Sequence, residues 1–452
     1  MIELSGERIA ELAGARLAKK GAEGHPARAV VDSRVVEGGD LFVGLPGRRA
    51  DGGQFARQVL DAGAWGVIVE PVRAAELDGA PGWVLSADDP LAALQKLASA
   101  WREEIGCRVV GITGSTGKTS VKDVCRALLG DRVHASPENY NTEVGMPLAM
   151  LMAPAATEVM VLEMAMRGPG QITELCEIAT PDVAVITNVG PVHLELLGSM
   201  DAIVAAKAEI IAALGTDGVA VVPAERAALQ PHLDEQSPRT IAFGAGGDVE
   251  AVEVRVESGR TNALVATPAG EQRFELPFTE AHNLENALAA IAIGVALEVP
   301  LAEMSARAPQ ITFSRLRGEL IELDAGAIVI NDCYNANPMS MRAALDHLGS
   351  LDASRKIAVL GEMAELGADA MKFHQEIGEH ARGAGIDLLV GVGEPARAYG
   401  PDKLTADPAA AAAHLAGIVR KGDAILVKGS RSVGMEAVAE RLLEEQGAGG
   451  GG

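Results

Sequence analysis

Basic residues are scarce in this chain. Lysine and arginine number 39 against 62 aspartates and glutamates in 452 residues, for a formal net charge of −23. Proteins that cover DNA or RNA phosphates draw affinity from clustered basic side chains, so a nucleic-acid partner is not expected and any anionic ligand must be held locally. Cysteine is scarce as well. Cys107, Cys125, Cys176 and Cys333 are scattered with no close pair, which fits neither a zinc site nor a disulfide framework and points to a reducing cytoplasm. Long apolar runs are missing: segments such as GVAVVP at 218–223 are broken by Gly, Pro or charge well before the ~18 residues of a membrane-crossing helix. The N-terminal MIELSGERIAELAG carries charge throughout and lacks the apolar core of a secretory signal. Neither membrane insertion nor export is expected.

What remains is a chain rich in material for burial, with 48% hydrophobic and 22% charged residues. Its length exceeds the ~100 to 200 residues that one core usually organises, so several domains are expected. Over residues 29–70, short β-type runs (ARAVVDS, DLFVGL, GVIVE) flank one helical stretch, FARQVLDAGA, which predicts a small α/β domain. The helical PLAALQKLASAWREEI at 90–105 leads into CRVVGIT, placing a first boundary after residue 105. In the next unit, 106–312, the apolar strands VMVLE and VAVITN end abruptly in polar residues and alternate with helical patterns, predicting a parallel sheet with crossover helices and function at its strand ends. Alternating segments at 249–278 predict a smaller antiparallel patch, followed by a helix over AHNLENALAAIAIGVAL. From 313 to 452 the strands AIVIND, KIAVLGE, DLLVGVG and AILVKGS alternate again with helices, predicting a second α/β unit of Rossmann type. The expected fold class is therefore α/β in three domains: 1–105, 106–312 and 313–452.

The segment CRVVGITGSTGKTSVKDVCRALL has the strand, Gly-rich turn and helix of a phosphate-binding loop. Glycines let backbone N–H groups approach an anion, and the helix start adds roughly half a positive charge. The loop residues are Gly114, Ser115, Thr116, Gly117, Lys118, Thr119 and Ser120. Lys118 is expected at the β and γ phosphates of ATP and the Thr119 hydroxyl at Mg²⁺; an ordinary Gly-rich turn is the bland alternative. Ile112 stands where the strict G-x-x-x-x-G-K-[ST] pattern has glycine, so a generic kinase or GTPase loop fits less well.

The variant TGSTGKTS resembles the loop of the Mur ligases, ATP-dependent enzymes that extend the peptide stem of bacterial peptidoglycan precursors. Further blocks agree in order from about Val31 to Glu436, among them DSR with GDLFVGL, NYNTEVGMP, EMAMRGPGQI, TNVGPVHLELLGSM, HNLENALAA, NDCYNANPMSM, LGEMAELG and KGSRSVGME. The Tyr-Asn-Ala-Asn-Pro run at 334–338 and the Lys-Gly-Ser-Arg run at 428–431 are similar to the branch that takes UDP-N-acetylmuramoyl-tripeptide and D-alanyl-D-alanine. The Asn-Pro-Arg motif of the diaminopimelate-selecting branch does not occur. Gly38 and Gly53 depart from the family's common Pro and His and bear on uridine recognition. The resemblance implies ATP as cosubstrate, two Mg²⁺ ions and a monomeric cytoplasmic enzyme. Another amide ligase of the superfamily, such as folylpolyglutamate synthase, and a nucleotide-dependent scaffold without catalysis stay open as alternatives.

Individual positions carry two readings each. Glu163, ending VMVL, should project beside the phosphate loop, where a carboxylate can hold Mg²⁺; a solvated strand-end acid is the alternative. The resemblance makes His193 a ligand of a second Mg²⁺ and Lys207 a carbamylated lysine sharing that ion, which needs a neutral, desolvated amine; a snorkelling helical lysine is the commoner fate. Asn139, Asn141 and Thr142 form a polar loop suited to the peptide or to phosphate, or simply to turns. Asn283 and Asn286 share one face of the helix that His282 helps open; the resemblance places Asn286 at adenine, while Asn283 could be a helix cap. By resemblance Arg317, with Arg315 as its competitor, reaches the nucleotide phosphates, and Asp332 lies near the ribose with Tyr334, Asn335 and Asn337. Lys428 and Arg431, ending AILV, can meet a substrate carboxylate. Ser33 and Arg34 are expected at the uridine diphosphate.

Overall fold

The computed structural model describes residues 4–47, 51–137 and 139–447. Its N-terminal sheet comprises β1 (Arg16–Lys19), β2 (Ala29–Val30), β3 (Leu41–Val43), β4 (Gly66–Val69) and β5 (Trp83–Ser86) in the order β1-β5-β4-β3-β2. All pairings are parallel except β1 with β5. The helix Pro90–Ile105 starts sharply because Asp89 accepts hydrogen bonds from the Leu91 and Ala92 amides and Pro90 occupies the first turn. It ends at Gly106, whose φ of 69° is left-handed. Although it follows the N-terminal sheet in sequence, it leans on the next unit: Trp101 Nε1 donates to Ala153 O at 3.1 Å and Ser99 Oγ to Ile178 O at 2.5 Å.

The central sheet contains β6 (Arg108–Thr113), β7 (Val133–Ala135), β8 (Val159–Glu163), β9 (Val183–Ile186), β10 (Val219–Pro223) and β11 (Arg239–Phe243), all parallel, in the order β11-β10-β9-β6-β8-β7. Both faces are covered, so its strands read as continuous apolar runs. On one face the helix Lys118–Leu128 buries Val121, Val124, Cys125 and Leu128, an i, i+3, i+4, i+7 stripe, against the helix Ala281–Ala296. That second helix is packed on nearly every side and stays thin to fit: a Cβ on Gly294 would lie 2.2 Å from Met304 Sδ. Each buried Val or Leu in this layer contributes about 1.5 to 3 kcal/mol. The chain leaves β6 toward β8 and β7 on one side and returns to β9 on the other, so the carboxyl ends of β6, β8 and β9 surround a topological switch point, where such sheets bind ligands. The antiparallel patch forms as β12 (Glu250–Glu257), β13 (Arg260–Thr267) and β14 (Gly270–Leu276).

The last sheet orders as β15-β16-β20-β17-β18-β19, with β15 (Glu319–Glu322), β16 (Ile328–Asn331), β17 (Arg355–Leu360), β18 (Leu388–Val392), β19 (Lys403–Thr405) and β20 (Asp423–Lys428). Only the β15 edge is antiparallel. Helices Pro338–Ser350 and Ala370–Gly383 cover one face, and Pro408–Ala416 and Glu436–Gly447 the other, the doubly wound arrangement expected from the strand and helix pattern. Among the described residues no helix is long and apolar enough to cross a membrane.

Candidate active site

The loop between β6 and the helix Lys118–Leu128 is held from the neighbouring strand. Asn188, just past β9, accepts from the Thr116 amide (2.9 Å) and donates to Thr116 Oγ1 (2.7 Å), while Ser115 Oγ exchanges hydrogen bonds with the Gly190 backbone at 2.8 and 3.0 Å. Gly117 caps the helix at φ 80°, and a Cβ there would fall 2.4 Å from Asn286 Oδ1. The position requires glycine both for its left-handed backbone and for its closeness to the second helix. Lys118 Nζ donates to Gly114 O at 2.8 Å. Burial lowers the Lys118 pKa, Glu163 raises it and Arg317 lowers it again.

Glu163 ends β8 4% exposed, with Oε2 accepting from Thr119 Oγ1 at 3.1 Å. Its Oε1 is buried with no hydrogen bond, although Lys122 Nζ stands at ion-pair distance, 3.2 Å. From the C-terminal unit Arg317 Nη2 donates to the same Thr119 hydroxyl at 2.7 Å, and its guanidinium lies 4.0 Å over the Tyr334 ring. Tyr334 Oη in turn donates to Asn139 Oδ1 in the central unit. These contacts line a cleft of about 750 Å³ between the two units. His193, at φ 54°, pairs through Nδ1 with Glu365 from the C-terminal unit. Burial lowers its pKa, the Glu365 carboxylate opposes that, and Lys118 and Lys207 add to the lowering. Lys207 is 2% exposed in the helix Met200–Ala212, and burial, with a smaller push from Lys118, sets its pKa well below the usual lysine value.

A phosphate loop, an adjoining buried carboxylate and an arginine from a second domain are what an ATP-dependent ligase needs, and comparison with known proteins names the group. The family described as the Mur ligase middle domain matches residues 112–294, and the one described as Mur ligase, glutamate ligase domain, matches 316–431. The chain belongs to the Mur ligase family. It is similar to the UDP-N-acetylmuramoyl-tripeptide--D-alanyl-D-alanine ligase of Bacillus subtilis, 36% identical over 98% of this chain and 99% of that one. A crystal structure of MurF from Acinetobacter baumannii superposes with a TM-score of 0.87 at 30% identity, covering 98% of this chain and 100% of that one. MurF ligase from Thermotoga maritima in complex with ADP gives 0.81 at 31% identity, covering 93% and 98%.

In this Mur ligase the cleft gathers Lys118, Thr119, Glu163, His193, Asn283, Asn286, Arg317, Asp332, Tyr334, Asn335, Asn337 and Lys428, with Asn139, Asn141 and Thr142 along one wall. Lys207 and Arg431 are not among its lining residues. Arg317, not Arg315, faces the loop. Asn283 is no cap: Glu280 holds the N-cap position of the helix Ala281–Ala296, and Asn283, 5% exposed, accepts instead from Asn286 Nδ2 at 3.3 Å. Asn337 does cap, accepting from the Ser340 amide at 3.0 Å in a reciprocal capping box, and Asn335 Oδ1 accepts from the Ala336 amide at 2.9 Å. Lys428 Nζ is tied to Asp332 Oδ2 at 2.6 Å and Asn335 O at 3.0 Å. Arg431 stands exposed and paired with Glu436 at 2.8 Å. Ser33 and Arg34 lie apart, around a second cavity of about 530 Å³ in the N-terminal unit, where Arg34 pairs with Asp32 at 2.6 Å. Sequence reasoning missed Lys122, Asn188 and Glu365. Asn188 ends the run VAVITN and carried the same strand-end signal as Glu163, whereas the other two gain their partners only through tertiary structure.

Proposed function

We propose that this chain joins D-alanyl-D-alanine to UDP-N-acetylmuramoyl-tripeptide at the expense of ATP, through an acyl phosphate, in cytoplasmic synthesis of peptidoglycan precursors. It acts as a monomer, with 1–105 holding the uridine nucleotide, 106–312 the ATP and 313–452 closing over both. The observation that carries this reading is the meeting at Thr119 of Glu163 from the central unit and Arg317 from the C-terminal one.

Joining a carboxylate to an amine in water is uphill. Transfer of the γ-phosphoryl group to the terminal carboxylate of the tripeptide releases ADP and leaves a mixed anhydride. The deprotonated amine of the dipeptide then attacks its carbonyl, and phosphate departs with one of the former carboxylate oxygens. Phosphoryl transfer needs positioning and charge neutralisation, and both fall to the loop amides, Lys118 and Arg317. Asn283 and Asn286 stand on the adenine side, and Asp332, Tyr334, Asn335 and Asn337 on the ribose side. Asn139, Asn141 and Thr142 position the peptide. Lys428 and Arg431 serve the dipeptide carboxylate, and Ser33 and Arg34 the uridine diphosphate. Closure excludes water from the anhydride.

The residues suit a hard divalent cation. Thr119 Oγ1 and Glu163 Oε2 present adjacent oxygens, 3.1 Å apart. Among the described residues no three His, Cys, Asp or Glu side chains converge, so the remaining ligands must come from phosphate and water, the habit of Mg²⁺. A second ion falls to His193 and to Lys207 once carbamylated by CO₂, and the ions supply neutralisation of phosphate charge. The test is phosphate release with ATP, Mg²⁺ and UDP-N-acetylmuramoyl-tripeptide, comparing D-alanyl-D-alanine with single amino acids. Release specific to the dipeptide, reduced about 10² to 10³-fold in Lys118→Ala, is expected. Release with a diamino acid instead moves the chain to another branch.

A further inference from the structure

Lys122 lies one helical turn beyond Lys118 and is 3% exposed. A lysine is seldom buried so fully without a partner, and this one has two: Glu163 Oε1 at 3.2 Å and Asp123 Oδ1 at 3.8 Å. Each acid leads elsewhere. Glu163 turns its other oxygen to Thr119 Oγ1 at 3.1 Å, and Asp123 turns its Oδ2 to the Ser314 amide at 2.8 Å, in the segment that enters the C-terminal unit. Three residues further on, Arg317 reaches back to Thr119 Oγ1 at 2.7 Å. The contacts close a ring from Thr119 through Glu163, Lys122, Asp123 and the 314–317 segment back to Thr119, with Lys122 linking the two acids.

We propose that Lys122 is a positioning residue for the metal-dependent step. Its ammonium occupies one oxygen of Glu163 so that the carboxylate presents the other toward Thr119 and the phosphate loop, and it joins that carboxylate to the segment bearing Arg317. The side chain does not line the cleft; it acts through Glu163 and Asp123. Partners that orient a metal ligand in this way typically govern affinity for the ion by 10 to 100-fold. A lysine that merely filled space would affect folding without touching the ion requirement. The inference rests on the ligase reading above, because it takes Glu163 to be a metal ligand.

The test compares wild type, Lys122→Met and Lys122→Arg. Calorimetric binding of a non-hydrolysable ATP analogue is followed at stepped Mg²⁺, and phosphate release is measured over the same Mg²⁺ series. In Lys122→Met the half-saturating Mg²⁺ is expected to rise about tenfold in both assays, with the KM for D-alanyl-D-alanine unchanged. Lys122→Arg keeps the charge but spreads it over a fork, and should recover part of the shift. It also serves as the readout if the Met variant does not fold. An unshifted Mg²⁺ dependence in folded variants overturns the proposal, and so does a lower Mg²⁺ requirement, which would make Lys122 a competitor of the ion. If wild type itself shows no Mg²⁺-dependent release, the ligase reading fails instead.

Discussion

Lys207, in the helix Met200–Ala212, and Lys428, at the end of β20, are both 2% exposed, yet their surroundings treat them differently. Lys428 meets Asp332 at 2.6 Å and a backbone carbonyl at 3.0 Å. Lys207 has no hydrogen bond or ion pair among the described residues, and its pKa is driven well below the ordinary lysine value by desolvation first and by Lys118 second. Burial alone therefore does not assign a role. A buried lysine tied to a carboxylate is held in place by that partner, whereas desolvation without a partner favours the neutral amine, the form able to react with CO₂.

Three substitutions and one titration sharpen that contrast. Lys207→Met should cut ligation by about 100-fold, the upper range for disturbing a metal site, while raising stability to urea by about 1 to 2 kcal/mol because an uncompensated buried amine is gone. Lys428→Met should do the opposite to stability, costing about 2 kcal/mol. That is below the ~3 to 5 kcal/mol of a fully buried pair, because the Asp332 side chain is 22% exposed. Equal destabilisation in the two variants would erase the distinction. In protein freed of CO₂ and metal, at pH values between the lowered folded pKa and the unfolded one, the unfolded chain holds a proton on Lys207 that the folded chain lacks. Stability should therefore be fullest above the unfolded pKa of ~10.4 and decline as pH falls through the lowered folded value. Chemical denaturation across that window should show the slope in wild type and not in Lys207→Met. The smallest effect is expected at Asn337→Ala, where loss of the cap should cost about 1 kcal/mol. Nucleotide affinity falling further than this in the same variant would show that Asn337 also touches ligand.

The contrast also marks where sequence reading stopped. The phosphate loop, Glu163 and the parallel sheets were legible because apolar strands ending in polar residues are a one-dimensional signal of a switch-point site. β1 and β5 were not, being four residues each, the first an edge strand with no buried residue and the second buried throughout, so neither shows a period. Burial of Lys207 could be anticipated from its apolar helical neighbours. Lys122 sits among polar neighbours in KTSVKDVC and becomes buried only because β8 delivers Glu163 against it. The pairing of His193 with Glu365 spans 172 residues and depends on two units meeting, which no local pattern encodes. Asn337 looked like a ligand residue in its Asn-rich run and is held in a cap whose partner, Ser340, stands in the third position of the following helix.

The central step proposed above is activation of the tripeptide carboxylate by phosphorylation in the cleft lined by Lys118, Glu163 and Arg317. The most direct test uses UDP-N-acetylmuramoyl-tripeptide labelled with ¹⁸O in its terminal carboxylate, incubated with ATP, Mg²⁺ and D-alanyl-D-alanine, followed by mass analysis of the phosphate. One labelled oxygen in the released phosphate for each amide formed is the expected result. Amide formation with unlabelled phosphate, or with AMP as the nucleotide product, would contradict it.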